Sequence, residues 1–190
     1  MAGRQTRNAE RTRTELLEAA TVVFSRQGPA ASLDAVAAAA GTSKGGLLHH
    51  FPTRDQLLVA LVEHQAERFR RRVEAELDPD DTAPGRLTRA FVRATFADIA
   101  EQHGRAHEQA MLLGTLGSSP HLLQIVAADA RRWNERLRED GLEWQRLVLI
   151  LRAADGTTIA SLYEGALTRE DADRTRDWLL ELTHGTGPLR

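Results

Sequence analysis

The stretch Gly41-Thr42-Ser43-Lys44-Gly45-Gly46-Leu47-Leu48-His49-His50-Phe51-Pro52-Thr53-Arg54 reads as a tight turn, a short exposed helix and a stop. Gly41 closes the run Leu33 to Ala40 and can take the positive φ that a sharp helix–helix turn demands. Thr42 or Ser43 can cap the helix that follows, and Pro52 halts it by pushing Phe51 out of helical geometry. Two glycines inside so short a helix cost roughly 2 kcal/mol of intrinsic helicity. A chain tolerates that cost where its backbone must lie close to something. Lys44, His49, His50 and Arg54 around it point to a polyanion. Helix, glycine turn and short second helix at this spacing fit helix-turn-helix DNA recognition.

Outward from that stretch, Ser32 is placed to cap the preceding helix, with Asp34 in its first turn. Ala37, four residues before Gly41, is small enough for close helix packing, and Leu47 is the anchor. Upstream, Leu16, Ala20, Val23 and Phe24 form one stripe of a helix over Arg11 to Gln27, ended by Gly28-Pro29. Residues 1–9 lack apolar periodicity and read as a flexible arm, with Arg4, Arg7, Arg11 and Arg13 bringing positive charge. Downstream, Thr53 is placed to cap a helix of over twenty residues, about 30 Å long at 1.5 Å per residue.

Residues of about 10 to 60 resemble the DNA-binding domain of the TetR family of bacterial transcriptional repressors. The resemblance lies in Phe24-Ser25-Arg26-Gln27-Gly28, in Ser32-Leu33-Asp34-Ala35-Val36-Ala37 and in the run Gly41 to Asp55. Leu48 and His50 stand where the family usually places tyrosines, so Leu48 brings no phosphate-bonding hydroxyl. The expected DNA-binding set is Ser32, Thr42, Ser43, Lys44, Gly45, Gly46, Leu48, His49, His50, Thr53 and Arg54. Lys44 and Arg54 would neutralise phosphates, and the helix starts at Ser32, Ser43 and Thr53 would offer N–H groups to phosphate oxygens. Thr42, Ser43, Lys44 and His49 would meet base edges.

Composition bounds the rest. Hydrophobic residues make up 42% of 190, enough for a sizeable core. The chain has no cysteine, which removes disulfides, thiolate catalysis and cysteine-based zinc sites together. No apolar segment follows the arginine-rich start, and Leu147 to Leu151 is far short of the ~20 residues that span a membrane. A cytoplasmic protein without a membrane partner is expected. Residues 1–55 carry seven Lys or Arg against five Asp or Glu, and the remainder eighteen against twenty-two. A mildly basic front on an acidic body suits contact with nucleic acid at one end. Lysine occurs once in the chain, at Lys44.

The expected fold is all-α, about nine helices in all by their apolar periodicity. Residues 1–54 form a helix-turn-helix DNA-binding domain, and 55–190 a helical regulatory and dimerisation domain. Leu58, Leu61, Phe69 and Val73 mark the long helix, interrupted by Gln65, with Arg68, Arg70, Arg71 and Arg72 mostly on its solvated side. Asp78 to Gly85 is the clearest linker. A helix ending near Gly104 carries Leu87, Phe91, Ala94 and Thr95, and a short one carries Met111, Leu112 and Leu116. Ser119-Pro120 opens another, with Leu123, Val126, Ala130, Trp133 and Leu137 as its stripe. A helix over roughly 142–166, kinked at Asp155-Gly156, is apolar nearly all round at first and needs cover from two sides. Thr168 with Asp171 opens the last helix, bearing Trp178, Leu179 and Leu182.

The simplest cover for these two final helices is a second copy of themselves, through Leu149, Leu162, Trp178 and Leu182. The family resemblance implies the same homodimer. It also implies a body pocket for a small-molecule effector, for which Phe96, Met111, Trp133, Trp144, Arg152 and Asp155 are candidates. Two DNA heads would need about 34–36 Å between them, so the double-stranded target is a short inverted repeat. The rival reading is a metal site: His103 and His107 are four apart, beside Glu108. A DNA-binding protein with no effector is the third. No nucleophile triad, phosphate loop or paired carboxylates stand in persuasive context, so no enzyme and no cofactor are expected.

Overall fold

In the computed structural model the backbone is described for residues 2–163 and 165–185, and side chains from residue 9 onward within them. Every regular element among these residues is helical. The order is α1 Ala2–Gln27, a 3-10 turn Gly28–Ala30, α2 Leu33–Ala39, α3 Lys44–His50, α4 Arg54–Ala75, α5 Arg86–Glu101, α6 Ala106–Leu116, α7 Pro120–Arg138, α8 Trp144–Ala160 and α9 Arg169–His184. The backbone expected to be a flexible arm to residue 9 is helical from Ala2. The Arg4 and Arg7 side chains lie outside the described residues, and Arg11 pairs with Glu15 at 3.4 Å.

Two compact units divide the chain. The first runs to Ala66 and includes Glu108–Ala127; the second comprises Glu67–His107 and the residues from Ala128 on. This differs from a boundary after residue 54, because the division falls inside the continuous helix α4. Leu57, Leu58 and Leu61 at the start of α4 belong to the first unit's core.

That core is built from the α1 stripe Leu16, Leu17, Ala20, Val23 and Phe24 against Val36 and Ala37 of α2 and Leu47 of α3. Leu47 is 0% exposed; burying such a side chain contributes about 1.5–3 kcal/mol. The polar break in the α4 stripe has its partner here, since Gln65 Nε2 donates to Thr21 Oγ1 at 2.9 Å. Leu112, Leu116 and Leu122 complete the core. The stripe expected on α7 is therefore shifted at its start. Leu122 is buried whereas Leu123 and Val126 are exposed, because the first half of α7 serves this core and its second half, through Trp133 and Leu137, serves the other unit.

In the second unit Val73, Ala90, Ala94, Trp133, Leu137, Leu147 and Leu151 form one cluster. Val92, Phe96, Ile99, Ile150, Ala154, Ala172 and Leu179 form another. The arginines of α4 are not a solvated face throughout. Arg70 pairs with Glu67 and with Asp129 at 3.0 and 2.8 Å. Arg72 reaches Asp98 and Glu101 at 2.6 and 2.8 Å. Burial pushes the Asp98 carboxyl above its ordinary range, against the pull of Arg72.

The segment expected to be a linker, residues 78–85, is fixed in place. Arg89 is 1% exposed and donates to Asp81 Oδ2 and Oδ1 at 2.7 and 2.8 Å, to the Pro84 and Ala83 carbonyls at 2.9 and 3.1 Å, and to Thr183 Oγ1 at 3.3 Å. Helix α8 runs unbroken through Asp155 and Gly156, from Trp144 to Ala160, and ends earlier than expected.

Candidate nucleic-acid interface

Three consecutive caps build the helix-turn-helix. Ser32 Oγ accepts from the Ala35 N–H at 3.1 Å, Ser43 Oγ from Gly46 at 3.1 Å and Thr53 Oγ1 from Gln56 at 3.1 Å. Of the two residues able to cap α3, Ser43 does so. Each hydroxyl accepts one amide and keeps its own proton, which it can donate outward. All three residues are exposed.

The turn between α2 and α3 is a Schellman closure. The Gly41 N–H bonds the Ala38 carbonyl at 3.1 Å and the Thr42 N–H bonds that of Ala37 at 3.0 Å. Gly41 sits at φ +66°, the left-handed conformation this motif requires. The buried methyl of Ala37 and the fully buried Leu47 hold α2 and α3 together beneath the turn.

The two glycines of α3 differ. A Cβ on Gly46 would lie 2.5 Å from Thr42 Oγ1, so a side chain there would have to turn the threonine hydroxyl aside. At Gly45 the nearest atom to such a Cβ is Ser43 Oγ at 3.8 Å, and that side of the helix is open. Thr42, Ser43, Lys44, Gly45 and His49 are exposed, while Leu48 and His50 are half-buried. The His49 and His50 rings meet edge to face at 5.4 Å. His50 lines a recess with Arg13, Phe51, Gln56, Glu63 and His121.

The cations separate in their use. Lys44 Nζ pairs with Asp34 Oδ2 at 2.9 Å, with the two side chains 52% and 64% exposed. An exposed pair of this kind contributes about 0–1 kcal/mol, so a phosphate can replace Asp34 at small cost. Arg54, half-buried, also has partners within the chain. Its guanidinium donates to the Ala31 carbonyl and, at 2.7 Å, to that of Pro29, and it lies over the Phe24 ring at 5.1 Å. Those two donors hold the 29–31 turn. Arg13, expected only as arm charge, stacks over the Phe51 ring at 4.4 Å and comes within 3.5 Å of the His50 carbonyl. No local pattern could have paired Lys44 with Asp34, ten residues back, or Arg54 with carbonyls more than twenty residues away.

The expected effector residues are spread over both units. Met111 belongs to the first unit, its methyl covering Gly28. Phe96 and Trp133 are buried in separate clusters. Trp144 is 51% exposed beneath the Arg138 guanidinium, and Arg152 pairs with Asp155 at 2.8 Å on the surface. Trp133 lines a recess of about 300 Å³ together with Arg70, Asp129, Arg132 and Arg136.

The metal reading loses its geometry. Helix α5 ends at Glu101 and α6 begins at Ala106, so His103 and His107 do not share a helical face. Among the described residues no group of three or more His, Asp or Glu is placed to hold a metal ion. Among the same residues no single helix is long and apolar enough to cross a membrane.

Residues 16–61 match the family model for bacterial regulatory proteins of the tetR family. Residues 85–184 match the one for the tetracyclin repressor-like C-terminal domain. An HTH-type transcriptional repressor of Mycobacterium tuberculosis is 34% identical over 88 residues, 45% of this chain and 47% of that protein. The chain thus matches about half the length of its curated relatives. The multidrug binding protein EbrR, solved with malachite green, is 26% identical with a TM-score of 0.68, over 90% of this chain and 97% of that one. A TetR-family member from Streptomyces coelicolor is 25% identical with a TM-score of 0.69, over 90% and 98%. With a capped helix-turn-helix in the first unit and the family's own C-terminal domain behind it, the chain belongs to the TetR family of DNA-binding transcriptional regulators, which are not enzymes.

Proposed function

We propose that this chain is a cytoplasmic homodimeric repressor that reads a short inverted repeat through α3 and is released by a small-molecule effector. The observation that carries the DNA reading is the outward set on α3. Thr42, Ser43, Lys44 and His49 are all exposed, beside the open side of Gly45. A helix of this length, about 10 Å at 1.5 Å per residue, enters a major groove of about 12 Å. Ser32, Ser43 and Thr53 and the first-turn amides behind them meet the flanking phosphates. Arg54 acts from inside, fixing the turn that presents them.

Homodimerisation is supported by the apolar side chains that α8, α9 and the turn between them leave uncovered. Leu149, Ile159, Tyr163 and Trp178 are 50, 57, 65 and 57% exposed, and Leu162 is half-buried beside them in sequence. Leu182 is reassigned, since it packs against its own chain's core. Repression follows the name of the M. tuberculosis relative. A small-molecule effector follows the dye-bound relative, acting by shifting the population away from the DNA-competent spacing.

The test couples both halves. The double variant Leu149→Asp with Trp178→Asp should sediment as a monomer while keeping its helical content. Its affinity for an inverted-repeat duplex should fall by a factor of about 10²–10⁴, the loss expected when two linked heads become one. A monomeric variant with undiminished DNA affinity would reject the proposal.

A further inference from the structure

We infer that the recess edged by Arg70, Arg132 and Arg136 over Trp133 binds a small organic anion with a flat apolar body. Its role as the effector site rests on the effector reading above; the binding itself does not.

The recess is about 300 Å³, the lower end of the usual range for small-molecule sites, about 300–1,000 Å³. Its floor is rigid and apolar. The Trp133 ring meets Phe69 and Phe91 edge to face at 5.7 and 5.3 Å, and those two rings meet at 5.3 Å. Its edge is cationic. A single oxygen of Asp129 accepts from Arg70 at 2.8 Å and from Arg132 at 2.9 Å, fixing two guanidiniums that each carry five N–H donors. Glu67 takes further donors of Arg70 and those of Arg71, and their hydrogen bonds hold its carboxyl below the ordinary range. Arg136 lies over Trp133 at 5.0 Å and makes no ion pair among the described residues.

Three guanidiniums thus share the recess with one lining carboxylate, in a chain whose net charge is −2. Arg132 and Arg136 stand four apart on α7, where like charges repel along a helix face. A carboxylate or sulfonate between them relieves that repulsion and gains charge-assisted hydrogen bonds. A flat ring attached to it packs on Trp133 and the guanidinium planes. A cationic ligand would face all three arginines, and a neutral one would gain only the ring contact.

Isothermal titration of the full-length protein with sodium 1-naphthoate, 1-naphthylmethanol and 1-naphthylmethylammonium tests the inference. Naphthoate should bind saturably at one per chain, the alcohol at least tenfold more weakly, and the ammonium without saturation. Arg132→Gln with Arg136→Gln, both at exposed positions, should lower naphthoate affinity at least tenfold and leave the alcohol unchanged. The remote Arg174→Gln should change neither. Absence of saturable naphthoate binding, equal binding of the three compounds, or an unaffected double variant overturns the inference. The effector reading is separated by duplex binding in parallel. If naphthoate binds and duplex affinity is unchanged, the site stands and its effector role falls. If another compound releases duplex from the double variant while naphthoate binds neither form, the site falls and the effector reading stands.

Discussion

Residues 41–51 and residues 78–89 are both short, glycine-containing passages made of a turn and the helical residues after it, and their polar groups point in opposite directions. In the first, Thr42, Ser43, Lys44 and His49 are exposed, and Lys44 has only a surface carboxylate for company. In the second, Asp81, two carbonyls and Thr183 all close on the buried Arg89. Asp140 caps the helix that follows, taking the N–H groups of Leu87 and Thr88 at 2.9 and 2.7 Å and the Thr88 hydroxyl at 2.7 Å. Polar groups turned inward hold the fold. A passage that leaves its polar groups outward, on a helix weakened by glycine, is built for an external partner.

The largest effect that sharpens this contrast is at Arg89. Arg89→Ala leaves the Asp81 carboxylate and two carbonyls without their buried partner, and should cost about 3–5 kcal/mol in urea unfolding. Arg54→Ala comes next, at about 1–3 kcal/mol, by freeing carbonyls that its guanidinium satisfies. Its salt dependence of DNA binding should be unchanged if Arg54 acts only within the chain; a slope reduced by about one ion would show that it meets phosphate as well. Lys44→Ala should leave unfolding within about 0.5 kcal/mol of wild type. It should reduce the salt slope by about one if the lysine meets phosphate, or relax selectivity at one position if it meets a base.

The smallest effect is one of pH. The Arg89 hydrogen bond holds the Asp81 carboxyl below its ordinary value of 3.8. The stability it contributes is therefore fully present above that ordinary value, and is lost as pH falls through the lower folded one. Urea midpoints measured from pH 5 downward should fall less steeply in Asp81→Asn than in wild type. Equal slopes would mean that another carboxylate governs acid loss.

The same contrast explains what the sequence could reveal. The caps at Ser32, Ser43, Thr53, Ser119 and Thr168 and the closure at Gly41 are set by residues within five positions of one another, so each was legible before any fold was known. The exposed face of α3 followed directly from them. Arg54 and Lys44 look alike as isolated cations, and only carbonyls far back in the chain set them apart, by taking two donors of Arg54. Met111 looked like a pocket residue because nothing local reveals Gly28 beneath it. The shifted α7 stripe was hidden for a related reason, since one helix serves two cores in succession. In the recess, Arg132, Trp133 and Arg136 are neighbours in sequence, but Arg70 joins them only through Asp129, fifty-nine residues away.

The central claim is that two copies of α3 read two half-sites on one face of duplex DNA. Selection from a random duplex pool with the purified protein, followed by the stoichiometry of the selected complex, tests it most directly. An inverted repeat with half-site centres one helical turn or a multiple of it apart, about 34–36 Å per turn, should be enriched. That repeat should be occupied by two chains or a multiple of two. Failure to enrich any sequence, or a single asymmetric site saturated by one chain, would contradict it.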